Sequence, residues 1–255
     1  MGIIYLVSVL ILIMAFALVK KTEKVLDILS FIGIAIVVFL CYNAFICYVL
    51  TFFKIPITLS ILTIINILLS IPMYLIIYKR KEIQKYKFEK LNAICIVIIL
   101  ILVLIVSYLN FGFPLNIKYE SGDPSVHYLT SKLFAEQDSL LNLYEDEMHG
   151  GLAGRKIGSY VNSGIIMKCF SNVINEVDNY KIFIVFGIFT LFMTGSMMYS
   201  TLEKYTKSKE GRLIALLASV IYVLAYPLNS LLFGFEYLSL GILVVRNNSA
   251  HDILF

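Results

Sequence analysis

The sequence predicts an all-α protein, a polytopic transmembrane helix bundle of about six spans plus a partial seventh, with one helical extracytoplasmic loop. Three observations predict it. Of the 255 residues, 60% are hydrophobic and the mean hydropathy is +0.87, well above the roughly 45–50% apolar content of soluble domains. Apolar runs recur at the length of about 20 residues that a helix needs to cross about 30 Å of hydrocarbon. Basic residues gather in every second connector, the pattern by which multi-span chains mark their cytoplasmic side.

Taken in order, Gly2–Val19 is the first span. It has neither a positive start nor a small-residue cleavage site before "KKTEK", so it reads as a retained span rather than a signal peptide. "MGIIYL" also lacks the Ser or Thr of a myristoylation signal. Val25–Phe53 is the second span, long enough to tilt; Ile55–Tyr78 is the third, with Pro72 in "LLSIPMYL" as a kink; Leu91–Phe111 is the fourth. These make an N-terminal region of four spans over 1–111. Residues 112–181 form the long polar loop, and 182–255 hold two more spans, Ile182–Ser200 and Leu213–Tyr226, and an incomplete apolar segment. That segment, Tyr237–Val245, would reach about 14 Å as helix, less than half a membrane, and reads as the start of a seventh span cut short, so that a longer relative is expected; the alternative is an exposed or interfacial tail.

Charge decides the orientation. "KKTEK" (Lys20–Lys24) has three basic residues, "KRKEIQKYKFEK" (Lys79–Lys90) six and "EKYTKSKEGR" (Glu203–Arg212) four, whereas the turn between spans two and three has only Lys54. The three rich connectors fall on one face. The positive-inside rule makes that face cytoplasmic and places the amino terminus and loop 112–181 outside, in a multi-pass protein of the cell membrane. The net charge of +4 is explained by these span-flanking runs, which excludes a nucleic-acid partner and leaves the lipid bilayer as the first one. Cys41, Cys47 and Cys95 fall inside predicted spans and read as small packing residues rather than a disulfide or metal set. The middles of spans one, three, four, five and six carry no charge, against an ion-coupled transporter.

The loop holds the chemistry. In "YESGDPSVHY" (Tyr119–Tyr128), Asp123-Pro124 has the form of a helix start, with Asp as N-cap and Pro at the first helical position. The helix runs to about Gln137, with Val126, Leu129, Leu133 and Phe134 as an apolar face against the membrane or the span bundle. Asp123 and His127 are four apart and can meet on one face, with Glu120 just upstream. A carboxylate beside a histidine can accept a proton from a sugar hydroxyl, or hold a divalent metal ion with a phosphate. The alternative is structural: Asp123 as a plain N-cap and His127 as a solvated neighbour on the polar face. A second cluster, "YEDEMHGGLAGRKIGSY" (Tyr144–Tyr160), sets Glu145, Asp146, Glu147 and His149 before a glycine-rich turn and then Arg155 and Lys156, which could hold a lipid phosphate; the alternative is an acidic loop without a ligand. The glycines lack the Gly-Lys-Ser/Thr ending of a P-loop, and the acidic run matches no zinc spacing.

On Asp123 in "GDPSVHY", the many spans and the external loop with an amphipathic helix, the chain resembles a polytopic glycosyltransferase of the GT-C class. The resemblance covers roughly Leu91–Tyr226. It implies a sugar carried on a polyprenyl phosphate and an extracytoplasmic acceptor, with Asp123 as base, Glu120 and His127 as helpers, and Arg155 and Lys156 or a divalent ion at the leaving phosphate. Two other readings stand beside it. One is a non-enzymatic membrane protein assisting assembly or export of a cell-surface polymer. The other is half of a transporter, with Pro72 and Asn43 in "CYNAF" as its mid-membrane irregularities.

Overall fold

The computed structural model of the protein describes residues 1–19, 26–80, 85–115, 123–140, 158–175, 178–206 and 208–225. The apolar segment Tyr237–Val245 lies outside them. The described residues form eight helices: α1 (Gly2–Val19), α2 (Ile28–Phe52), α3 (Leu59–Arg80), α4 (Lys90–Phe111), α5 (Asp123–Glu136), α6 (Gly158–Phe170), α7 (Asn179–Glu203) and α8 (Lys209–Ala225). Five of them, α1 to α4 and α7, are long and apolar enough to cross a membrane. They coincide within a few residues with the first five expected spans. The sixth expectation, Leu213–Tyr226, falls on the apolar part of α8, whose 17 residues begin with Lys209, Glu210 and Arg212.

The burial pattern of these helices fits a membrane-embedded protein. In α3 the buried stripe is Leu62, Thr63, Asn66 and Ser70, while Ile64, Ile67, Leu68, Ile71 and Leu75 are exposed. In α4 the buried positions Asn92, Cys95, Ile99, Val103 and Ser107 recur at helical spacing, and Ile94, Val97, Ile98, Ile101, Leu104 and Ile105 face out. The hydroxyls and amides named here point inward and most of the branched aliphatics outward, the reverse of a water-soluble helix. In water such an apolar surface would be untenable; in lipid it costs nothing, and the buried amides Asn66 and Asn92 find partners on neighbouring helices, whereas Thr63 and Ser70 donate to carbonyls of α3 itself.

The chain forms two compact units. The first combines Met1–Lys87 with Leu129–Asn179, the second Phe88–Tyr128 with the chain from Tyr180 on, so α5 belongs in part to each. In the first unit α1 packs on α3 and α2, and α6 packs on α2, α1 and α3. Asp27 starts α2 as its N-cap, its carboxylate accepting from Ser30 N at 3.1 Å. Leu26–Asp27 and Tyr86–Lys87 pair as a two-residue parallel ladder. Beside that ladder Arg80 donates to the Val19 carbonyl at 2.9 Å and Tyr86 to that of Ala17, covering carbonyls that the end of α1 leaves open. At the opposite end of the bundle Ile57 N donates to the Asp138 carbonyl at 2.7 Å. There Gly2 meets α6 so closely that a Cβ would stand 2.0 Å from the Cys169 oxygen.

Helix α6 is the unexpected element. Its residues lie within the segment expected to be an external loop, yet it runs alongside the C-terminal half of α2. A Cβ on Gly158 would lie 3.6 Å from that of Ala44, and Asn162 Nδ2 donates to the carbonyls of Leu40 and Gly158 at 3.0 and 2.8 Å. From there α6 rises to the α2–α3 turn, where Lys168 Nζ donates to the Ile57 carbonyl at 2.8 Å.

The second unit is built around α7, of which Ile184, Gly187, Leu191, Thr194, Gly195 and Tyr199 are among the buried residues. Gly195 lets α4 and α8 close on it: a Cβ there would meet Val223 Cγ2 at 2.8 Å and Ile99 Cγ2 at 2.9 Å. Tyr199 donates to Asn92 Oδ1 at 3.0 Å, joining α7 to α4.

Candidate functional site

The α4–α5 junction carries the residues that the sequence singles out. Helix α4 ends at Gly112, whose φ of 66° and ψ of −170° belong to a region only glycine occupies readily. Helix α5 begins at Asp123, as the Asp-Pro pair predicts, and ends at Glu136. His127 follows one turn later and is 5% exposed. That burial corrects the alternative in which His127 is a solvated neighbour on a polar face. Next to it, Tyr128 sets its ring edge-on to Phe183 of α7, centroids 6.1 Å apart.

The inward face of α5 also differs from expectation. Val126 is exposed, Leu129 and Leu133 are half-buried, and the fully buried positions are His127, Thr130, Ser131 and Phe134. These lie at i, i+3, i+4 and i+7, so the helical period is as expected but the stripe is rotated and mostly polar. The cause is α6. Ser131 Oγ lies 2.7 Å from Ser163 Oγ, and Gly164 lets Phe134 approach to where a Cβ would stand 2.5 Å from its Cδ1. An α5 face of larger aliphatics would not fit this close crossing.

Lys168, 8% exposed at its side chain, closes the same region. Its ammonium reaches Asp138 Oδ1 at 2.5 Å and lies 5.3 Å from the Phe134 ring centroid. Beside it, burial pushes the Cys169 thiol up to about 12, the amino terminus pulling weakly the other way.

Of the five candidate residues, the structure sets Asp123 and His127 on one helix, four residues apart. Glu120, Arg155 and Lys156 lie outside the described residues, as do Glu145, Asp146, Glu147 and His149. Among the described residues no group of three or more His, Cys, Asp or Glu could hold a metal ion. All four cysteines are free thiols.

A second polar centre lies within the first unit. Tyr5 donates to Asn43 Oδ1 and Asn43 Nδ2 to Asn162 Oδ1, both at 3.2 Å. Nearby, Tyr42 donates to Asn66 Oδ1 and Asn66 Nδ2 to Ser8 Oγ, both at 3.0 Å. Asn43 is one residue the sequence marks as a mid-span irregularity; here each of its amide atoms has a partner. Asn162, Asn66, Ser8 and Tyr5 are not among the residues the sequence singles out. The available signal was an isolated amide inside an apolar run, as in "LTIINILLS". Comparison with known proteins finds no family model, no curated protein and no solved structure that matches the chain.

Proposed function

We propose that the protein is an integral membrane glycosyltransferase of the polytopic class it resembles, moving a sugar from a polyprenyl-phosphate donor to an extracytoplasmic acceptor. The observation that carries this reading is that Asp123 opens α5, a short way after a membrane-length helix, with a buried histidine one turn on. Asp123 takes the proton of the acceptor hydroxyl as that oxygen bonds to the anomeric carbon. The bond from that carbon to the phosphate oxygen breaks, its electron pair leaves with the lipid phosphate, and the sugar carbon inverts. His127 and Glu120 tune and orient the carboxylate. Arg155 and Lys156 offset the charge on the leaving phosphate; a divalent ion held beside them would supply the same neutralisation.

The accompanying orientation has the amino terminus and the polar segment outside the cell. Within the first unit it is supported by the Ile57–Asp138 and Lys168–Ile57 hydrogen bonds, which join the chain after α5 and the end of α6 to the α2–α3 turn, the connector poorest in basic residues.

Membranes containing the protein, given a polyprenyl-phosphate sugar donor and acceptor, should transfer sugar. Asp123→Asn should lower the rate by at least about 100-fold at unchanged protein level, the usual scale for losing a general base. Undiminished transfer by Asp123→Asn removes Asp123 from that role. The competing reading, a non-enzymatic partner in polymer assembly or export, draws on the Ser131–Ser163 contact, which gives the polar face of α5 a packing role of its own. It predicts no transfer by the unaltered protein from any such donor.

A further inference from the structure

At the end of α2 the first unit carries an open groove of about 660 Å³ lined by Tyr48, Val49, Thr51, Phe52, Phe53 and Lys54. Phe52 and Phe53 are 82% and 65% exposed and meet edge-on, ring centroids 5.2 Å apart. The wall is apolar except at its lip, where Lys54 is its one charged residue.

The backbone at Lys54 is unusual. Ile55 N donates to the Leu50 carbonyl at 2.9 Å and Lys54 N to that of Thr51 at 3.0 Å, the paired bonds of a Schellman ending. That ending needs a left-handed residue, ordinarily glycine, and here lysine holds φ 57°. A cation is thus kept where glycine would be easier. Lys54 is exposed and makes no ion pair with any described residue.

We propose that this groove is a binding site for an anionic phospholipid of the bilayer, an acyl chain lying along Tyr48, Phe52 and Phe53 and the headgroup phosphate against the Lys54 ammonium. The aromatic rings supply the apolar, interface-level surface that acyl chains and glycerol backbones favour. The lysine supplies a point charge at headgroup depth, and its complementarity to phosphate selects the anionic lipid over a zwitterionic one. The inference rests on the membrane reading and not on glycosyl transfer.

The chain contains no tryptophan, so Tyr48→Trp places a single fluorophore in the groove. Reconstituted in phosphatidylcholine, this protein is challenged with phosphatidylglycerol or phosphatidylcholine brominated on the acyl chains. The anionic lipid should compete for the fluorophore about fivefold better, as expected for one lysine at the surface, and rising salt should weaken the preference. Adding Lys54→Gly or Lys54→Gln should bring the ratio to about one, whereas Lys54→Arg should retain it. Lys54→Gly also relieves the left-handed backbone, so its thermal midpoint should not fall and loss of selectivity cannot be put down to misfolding. Equal quenching by both lipids, or a preference that survives Lys54→Gly, overturns the site. So does displacement of the brominated phosphatidylglycerol by a polyprenyl phosphate at substoichiometric levels, which would make the groove a donor site. Quenching by neither lipid overturns the proposal and the membrane reading of this end of α2 together.

Discussion

The two units hold their helices together by different means. In the first, α1, α2, α3 and α6 share, beside an apolar cluster and the close approach at Gly2, two chains of neutral amides and hydroxyls: Tyr5, Asn43 and Asn162 in one, Tyr42, Asn66 and Ser8 in the other. In the second, α7 meets α4 and α8 through the close approach at Gly195, with Tyr199–Asn92 as an amide contact between α7 and α4. At the end of that unit Arg212 bridges Glu89 and Glu203, each at 3.1 Å. The difference teaches where specificity comes from when the surroundings are as apolar as the side chains. Lipid gives helices no hydrophobic reason to associate, so orientation is set either by hydrogen bonds that lipid cannot replace or by steric fit at small residues.

The sharpest way to break the comparison is Asn162→Leu. It removes three contacts, with Asn43, the Leu40 carbonyl and the Gly158 carbonyl. At about 0.6 kcal/mol for each hydrogen bond within a membrane, the loss is about 2 kcal/mol. It should appear as earlier unfolding of the first unit in a denaturing-detergent titration, the second unit holding. If the two units unfold together and unshifted, the polar chain is not what positions α6.

In the second unit the matching change is Gly195→Ala. The new methyl would press on branched side chains, Val223 and Ile99, which have few rotamers to retreat into. Overpacking of this kind costs about 1–3 kcal/mol, and the middle of that range is expected here. Double substitution with Val223→Ala should recover part of it, since the smaller side chain makes room. A neutral Gly195→Ala would mean that α4, α7 and α8 are looser than their geometry implies.

The same contrast explains how much could be read from the sequence. The spans were legible because lipid demands continuous apolar runs, and each of the first five expected runs became a helix long enough to cross. The start of α5 was legible because Asp-Pro is a local signal. The inward face of α5 was not. Periodicity rewards Val126, Leu129 and Leu133, but the neighbour deciding the face is α6, whose Ser163 and Gly164 accept Ser131 and Phe134 more closely than any local pattern could announce. Asn43 and Asn162 are 119 residues apart, so their pairing leaves no trace in either neighbourhood. Of the proposed catalytic set, the Asp123 and His127 spacing was legible as a helical repeat, whereas the burial of His127 depends on packing.

Arg212 sharpens the comparison from the electrostatic side. Its side chain and that of Glu89 are each 22% exposed, and that of Glu203 15%, so the triad is neither a solvated surface pair nor a dry one. Arg212→Gln leaves two carboxylates facing each other without the shared cation and should cost about 1 kcal/mol, at the upper end of exposed pairs. The penalty should shrink as salt rises, unlike that of Asn162→Leu. Equal salt dependence of the two would erase the distinction between a contact made by neutral amides and one made by charges.

The smallest expected effect is at Tyr86, which lies outside the spans. Its hydroxyl donates to the Ala17 carbonyl, and Tyr86→Phe should cost about 0.5–1 kcal/mol, the net value of one such bond. Burial pushes the phenol up from 10 to about 12. A folded-state value above the unfolded one means that the folded protein holds this proton more tightly. The associated stability is therefore complete below pH 10 and is lost as pH rises from 10 through 12. The difference in unfolding midpoint between the unaltered protein and Tyr86→Phe should be flat from neutral pH to about 10 and then close. A difference already shrinking between pH 7 and 9 would place the controlling group elsewhere. The end of α1 would then owe its hold to Arg80, which donates to the next open carbonyl at Val19.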